Sequence, residues 1–182
     1  MSLAKSMLKW ILLIILTFQA SNSQSVVKWE IEIYLLTSLE AETGKDDTVR
    51  SSSTALLSLP FIADGEILGY KIVQDYQGQK PVYSIVLNNV ARAKLNKLNI
   101  PVCCGRHFVI TVNKRPIFDG YFWCTYSSYS CGFLTVETPS SNDLKIQNGY
   151  PKEHSFGEHP DPRGDVVLLQ AFRESERLYI IR

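Results

Sequence analysis

RHFVITVNKRPIFDGYFWCTYSSYSCGFLTVE, residues 106–137, is the stretch of sequence that most strongly predicts the fold. It is the densest aromatic region of the chain, and it holds two of the four cysteines. His107, Val109 and Thr111 alternate with the apolar residues Phe108, Ile110 and Val112, and this period of two is typical of a β-strand with one buried face. Asn113 and Lys114 follow as the predicted turn, so the stretch indicates a β-hairpin within a sheet.

The second half of this stretch continues the predicted sheet. Pro116 suits the start of the returning strand, because a proline has no backbone N–H to donate to a neighbouring strand. Residues 125–130 (TYSSYS) are polar and aromatic, and we interpret them as a loop between strands. Residues 132–136 are predicted as the next strand.

Further strands are predicted upstream of the hairpin. Residues 24–38 alternate β-branched and aromatic residues with charged ones, which predicts a half-buried strand. Residues 82–87 (VYSIVL) predict another. Between them, the Asp64-Gly65 pair signals a turn. That turn is either the tip of a hairpin or a short helical turn that leads into a strand.

Two helices are also predicted. Within residues 88–98, Ala91, Leu95 and Leu98 fall on one helical face, and an asparagine precedes them as a possible cap. Residues 165–177 predict a C-terminal helix followed by a short extended segment, with a strand over VVLLQAF as the alternative. These patterns predict an α+β fold, which is a mainly antiparallel sheet with one packed helix and a C-terminal helix.

The first 23 residues predict a secretory signal peptide, and residues 24–182 a single domain of the 182-residue chain. Two lysines precede the apolar run WILLIILTF at residues 10–18, and small residues lie before a cleavage point after Ser23. The run is shorter than the roughly 20 residues that span a bilayer, so we expect no stable membrane span after cleavage. An uncleaved anchor is the alternative. Residues 138–162, rich in Pro, Ser, Asn and Gly, are predicted to be a mobile loop.

The charge balance argues against a nucleic-acid partner. Loss of the signal peptide, with its two lysines and no acidic residue, takes the net charge from +1 to about −1. A nearly neutral chain has no electrostatic attraction for phosphate backbones. Because of the predicted signal peptide, we expect a periplasmic or extracellular protein. We expect it to need no cofactor and to have an unknown protein or envelope ligand as its partner.

The four cysteines leave the disulfide pattern open. In an exported chain an even number of cysteines permits disulfides. A Cys124–Cys131 bridge would close the aromatic loop, whereas Cys104–Cys131 or Cys103–Cys124 would tie the hairpin to the segment before it. A bridge between the neighbours Cys103 and Cys104 is the least expected, because it closes a strained ring. Free cysteines that pack as small hydrophobes are the further alternative.

Two segments carry a resemblance to known families. Residues 67–98, ILGYKIVQDYQGQKPVYSIVLNNVARAKLNKL, and residues 105–123, GRHFVITVNKRPIFDGYFW, give the order strand, turn, strand, helix, hairpin. This order resembles the head of the first periplasmic region of SecD, a subunit of the bacterial export motor. Residues 108–131, FVITVNKRPIFDGYFWCTYSSYSC, are similar to small exported proteins of Bacteroidetes-type bacteria. The resemblance implies an α+β fold. It does not imply translocation activity, because this chain lacks the membrane spans of SecD.

The aromatic loop is the candidate binding surface. Tyrosine and tryptophan beside serine and glycine offer a large contact area at a low cost in side-chain entropy. We expect a non-catalytic binding or accessory module, and the candidate ligand-binding residues are Tyr121, Trp123, Tyr126, Ser127, Ser128 and Tyr129.

The alternatives to a binding module are weaker in the sequence. One is an extracytoplasmic metal-dependent hydrolase that uses His107, His154 or His159, since imidazole with nearby carboxylates suits zinc. No nucleophile motif such as G-x-S-x-G accompanies these histidines, so an enzyme is less expected than a binding protein. The other alternative is a protein-export accessory, which the SecD resemblance implies.

Overall fold

The computed structural model describes residues 28–36, 59–74, 80–138, 143–151, 153 and 160–181. The predicted signal peptide lies outside these residues, as do His154 and His159. None of the helices in the described part of the chain combines the length and the apolar character that crossing a membrane requires.

The described residues form one eight-stranded sheet. Its order is β1-β4-β5-β6-β7-β3-β2-β8. In chain order, the strands are β1 (Ile31–Leu35), β2 (Ile67–Val73), β3 (Val82–Leu87), β4 (Arg106–Val112), β5 (Arg115–Cys124), β6 (Cys131–Thr138), β7 (Asp143–Tyr150) and β8 (Leu178–Ile181).

The sheet is mixed, with five antiparallel and two parallel pairings. The parallel pairs are β5 with β6 and β2 with β8. The α+β prediction is confirmed, but the sheet is not purely antiparallel. Alternation of side chains could not reveal this, because parallel and antiparallel strands share the same period of two.

The predicted β4–β5 hairpin is present. Asn113 and Lys114 form its turn with φ angles of 49° and 66°. Both values lie in the left-handed region that two-residue hairpin turns of this hand require. The Asn113 side chain also accepts a hydrogen bond from the backbone N–H of Glu30 at 2.8 Å, so the turn is anchored at the start of β1.

Both predicted helices are present, as α1 (Asn89–Lys97) and α2 (Val166–Glu174). The Asn88 side chain caps α1 by accepting from the N–H of Ala91 at 2.9 Å. The Asp165 carboxylate caps α2 by accepting from the N–H groups of Val167 and Leu168 at 2.8 and 3.1 Å. Each cap satisfies donors that the first turn of a helix leaves unpaired.

The main core includes one face of the sheet and the apolar sides of both helices. Phe172 of α2 stacks on Tyr70 of β2 with ring centroids 5.1 Å apart. The hydroxyl of Tyr70 donates to the backbone oxygen of Arg163 at 2.9 Å, so this buried phenol is satisfied. The helical members of this core are Ala91, Leu95, Leu168, Ala171 and Phe172.

Two 3₁₀ turns occur in the described residues, Asp64–Glu66 and Pro162–Gly164, and the first joins three parts of the chain. The Asp64 carboxylate accepts from the N–H of Ile31 at 2.9 Å and from Arg177 at 2.7 Å. Glu66 accepts from Lys94 of α1 at 2.7 Å. The Asp64-Gly65 signal is therefore a short helical turn before β2 rather than the tip of a hairpin.

The predicted mobile loop at residues 138–162 contains a strand of the sheet. β7 lies between β6 and β3 and pairs antiparallel with both. Its residues Leu144 and Ile146 are buried in the main core. The predicted loop is thus corrected over Asp143–Tyr150, where the two apolar side chains fix the strand in the sheet.

Candidate binding surface on the outer face of the sheet

Strands β4 and β5 present different chemistry on their two faces. Phe108, Ile110 and Phe122 point into the main core. By alternation, the residues between them lie on the opposite face, which we call the outer face. His107 and Tyr121 are direct cross-strand partners there.

Four side chains gather on the outer face, and we call them the outer-face cluster: His107, Asp119, Tyr121 and Phe133. The imidazole of His107 stacks on the ring of Tyr121 with centroids 4.6 Å apart and planes 10° from parallel. The ring of Phe133 in β6 lies against the ring of Tyr121, with their centroids 5.8 Å apart. Nε2 of His107 lies 2.8 Å from Oδ2 of Asp119. The cluster thus places aromatic rings beside a carboxylate.

The outer-face cluster is open to solvent at two of its members. Phe133 is 67% exposed, the highest exposed fraction of any large apolar side chain in the described strands. The Asp119 side chain is 55% exposed, whereas that of His107 is 13% exposed. A ligand that approaches this face would therefore meet the Phe133 ring and the Asp119 carboxylate first.

The Tyr121 hydroxyl stays protonated near neutral pH. Burial raises the pKa of Tyr121 above its usual value, and the nearby acidic groups of Asp119, Cys131 and Cys104 raise it further. A protonated phenol both donates and accepts hydrogen bonds. The cluster can accordingly offer a hydroxyl group, a carboxylate and an aromatic surface to one ligand.

Trp123 lies in a second, smaller core rather than on an open surface. It is 3% exposed and packs with Cys131 and Tyr150. The ring centroids of Trp123 and Tyr150 are 6.0 Å apart. Trp123 was predicted to bind ligand, but here it supports the strand from which Tyr121 projects.

The other four predicted binding residues lie in the loop at residues 125–130, where one is buried and three are exposed. Ser127 is buried, and its Oγ donates to the backbone oxygen of Val102 at 2.6 Å and accepts from the N–H of Tyr129 at 3.1 Å. Its role in the structure is thus to hold the loop. Ser128 is exposed, and Tyr126 and Tyr129 are 72% and 56% exposed.

Sequence reasoning missed two members of the outer-face cluster, Asp119 and Phe133. Phe133 follows Gly132 in a predicted strand, and nothing local distinguishes it from a core residue. Asp119 could have been found from the hairpin register, because a turn at Asn113 and Lys114 brings residues near 119 and 121 opposite residues near 107 and 109. Only the structure shows that Phe133 contacts Tyr121.

The His107–Asp119 pair has the geometry of a base and its orienting carboxylate. The remaining imidazole nitrogen, Nδ1, is buried and has no hydrogen-bond partner among the described residues. In this orientation it cannot take a proton from a ligand that approaches from solvent. The arrangement therefore suits binding better than proton transfer.

No three His, Cys, Asp or Glu side chains in the described ranges lie close enough together to hold a metal ion. All four cysteines are free thiols: Cys124 and Cys131 are buried, and Cys103 and Cys104 are exposed. The predicted Cys124–Cys131 bridge is not formed in this structure, and the disulfide pattern under oxidising conditions stays a prediction.

Comparison of the chain with protein-family models, with curated proteins and with solved structures gives no match.

Proposed function

We propose that this protein is an exported, non-catalytic binding module that recognises a carbohydrate through the outer-face cluster. The observation that carries the proposal is the exposed ring of Phe133 beside Tyr121, with the Asp119 carboxylate bound to the His107 imidazole that stacks on Tyr121. A sugar ring has an apolar face of C–H groups and a rim of hydroxyls. An aromatic ring covers the apolar face, and a carboxylate accepts strong hydrogen bonds from the hydroxyls.

The contacts that fix Tyr121 within the cluster favour binding by a preformed surface. Tyr121 is held between the imidazole of His107 and the ring of Phe133. A side chain that is already fixed loses little conformational entropy when it binds. Trp123 and Tyr150 pack next to Tyr121 in the second core and add to this rigidity.

Titration of the purified mature protein with a panel of soluble polysaccharides tests this function. We expect Phe133→Ala to weaken binding about two- to tenfold, since an aromatic contact of this kind contributes on the order of 0.5–1.5 kcal/mol. Tyr126→Ala is the matched control, because Tyr126 is equally exposed but has no described ring contact with the cluster. Failure of every polysaccharide to bind, or equal binding by wild type and Phe133→Ala, would refute the proposal.

The hydrolase alternative has one observation in its favour, the 2.8 Å contact between His107 and Asp119. Hydrolysis of a bound polysaccharide that disappears in His107→Gln would support it over simple binding. The role in protein export that the SecD resemblance implies stays a prediction, and cross-linking to translocon subunits is its test.

A further inference from the structure

Two adjacent cysteines lie on the turn between α1 and β4. Cys103 and Cys104 are both exposed, and their Sγ atoms are in hydrogen-bonding contact at 3.0 Å. Sequence reasoning ranked a bond between these neighbours last. The structure nevertheless brings together these two sulfurs, on a surface that solvent reaches.

The turn that carries the two thiols is fixed at both ends. The N–H of Gly105 donates to the backbone oxygen of Pro101 at 2.9 Å and closes the turn. Gly105 has a φ of +66°, and a Cβ at this position would lie 2.6 Å from the ring of Trp123. The backbone oxygen of Val102 accepts from Ser127, which ties the turn to the loop at residues 125–130. The backbone that carries the two sulfurs is therefore fixed on both sides of the pair.

We propose that Cys103 and Cys104 are an oxidative modification site, at which a small-molecule disulfide converts the two thiols into a vicinal disulfide. The hydrogen bond with Cys103, followed by partial burial, raises the pKa of the Cys104 thiol. A raised pKa leaves a smaller share of Cys104 as the reactive thiolate, so we take Cys103 as the first nucleophile.

The exchange has two steps. Cys103 loses its proton to solvent, and its thiolate attacks one sulfur of the small disulfide, whose S–S bond breaks and releases one small thiol. Cys103 now carries a mixed disulfide. Cys104 loses its proton and attacks the Sγ of Cys103, which forms the Sγ–Sγ bond and releases the second small thiol. The two cysteines are oxidised, and one small disulfide is reduced to two thiols.

The reversibility of the site follows from its geometry. A disulfide between neighbours closes a small ring, and a strained disulfide is reduced more easily than a relaxed one. We expect the vicinal disulfide to revert on treatment with a mild excess of a monothiol, whereas a buried and relaxed bridge would resist it.

Mass spectrometry of the full mature chain tests the site. The reduced protein is treated with oxidised glutathione, and the remaining thiols are alkylated before digestion with trypsin. Cleavage after Lys97 and Arg106 isolates Cys103 and Cys104 in one peptide, and the peptide at residues 115–145 holds Cys124 and Cys131. We expect the first peptide to lose the mass of two hydrogens and to carry neither alkyl group nor glutathione.

Single variants separate exchange from simple adduct formation. Cys104→Ser should retain one glutathione on Cys103, because the second step has lost its nucleophile. Cys131→Ser is the matched control and should behave as the wild type at Cys103 and Cys104. The proposal is overturned if the wild-type peptide keeps glutathione, if it stays fully alkylated, or if oxidation is found only in the 115–145 peptide.

Discussion

Arg163 is the largest fully buried side chain among the described residues. Its guanidinium contacts the carboxylates of Asp161 and Glu153 and donates to the backbone oxygen of Ile146 at 2.9 Å. It also lies 5.0 Å from the ring centroid of Tyr83. A buried cation with this many partners fixes the segment before α2 against β7.

Arg163→Met tests this residue. The methionine fills part of the space but leaves Asp161 and Glu153 without their cation, so we expect the free energy of unfolding to fall by about 3 kcal/mol. Both carboxylates are partly exposed, which keeps the loss at the lower end of the range for buried pairs. Urea denaturation measures it. Arg173→Met, an exposed change on α2, is the control and should alter stability little.

The sequence indicated which residue types are concentrated near the candidate site, but not which of their side chains are buried. The aromatic enrichment of residues 121–129 was evident, yet Trp123 turned out to be buried. Trp123 packs against Tyr150 of β7. Tyr150 is distant in the sequence and falls within the segment that was predicted to be a loop. Ser127 was similarly misjudged, because its acceptor is the backbone oxygen of Val102, which no local pattern identifies.

At the scale of elements, the cap of α2 is the simplest contact to test. Asp165→Ala leaves the N–H groups of Val167 and Leu168 without their acceptor, and we expect a loss of about 1 kcal/mol in the free energy of unfolding. Asp165→Asn retains a side-chain oxygen and should restore most of it. Equal stability of the alanine variant and the wild type in thermal denaturation would contradict this role.

We expect the contribution of Glu66, in the 3₁₀ turn Asp64–Glu66, to the stability of the fold to depend on pH. Burial alone would raise the pKa of Glu66, but hydrogen bonds from Lys94 and the N–H of Ala63 outweigh it and hold the pKa below the usual 4.5. The stabilisation from a lowered pKa is fully present above the unfolded value and is lost as the pH falls through the folded one. The stabilisation from the Glu66 carboxylate should thus be fully present above about pH 4.5.

Glu66→Gln checks this prediction in urea denaturation at several pH values. We expect the variant to be less stable than the wild type by about 1 kcal/mol at pH 7, with the difference shrinking below pH 4.5. Glu176→Gln changes an exposed carboxylate outside the turn and is the control. A stability difference that does not vary with pH would show that the Glu66 charge is not involved.

β7 shows why one element escaped prediction. Its sequence, DLKIQNGY, holds only two aliphatic residues, Leu144 and Ile146, and Asn148 and Gly149 precede its last residue, Tyr150. The alternation is too short to stand out from the polar segment around it. β7 is stable as a strand because β3 and β6 pair with it on both sides, which is a tertiary effect that local propensity does not express.

For the whole molecule, the sequence predicted which kinds of element occur but not their order in the sheet. The hairpin of β4 and β5 follows from a two-residue turn and is local. The placement of β1 beside β4 and of β8 beside β2 depends on contacts between distant segments. The outer-face cluster could be predicted only in part for the same reason, since Phe133 reaches it through the parallel pairing of β6 with β5.

The strand order also has a kinetic consequence. Tyr70 of β2 pairs with Leu178 of β8, and Ile31 of β1 pairs with Val112 of β4. Each such pairing closes a long loop before its contacts contribute to stability, which makes folding slow compared with that of proteins rich in local contacts. For the export that we propose, such a delay would help the chain to stay unfolded during passage, because the sheet cannot be completed until β8 joins β2.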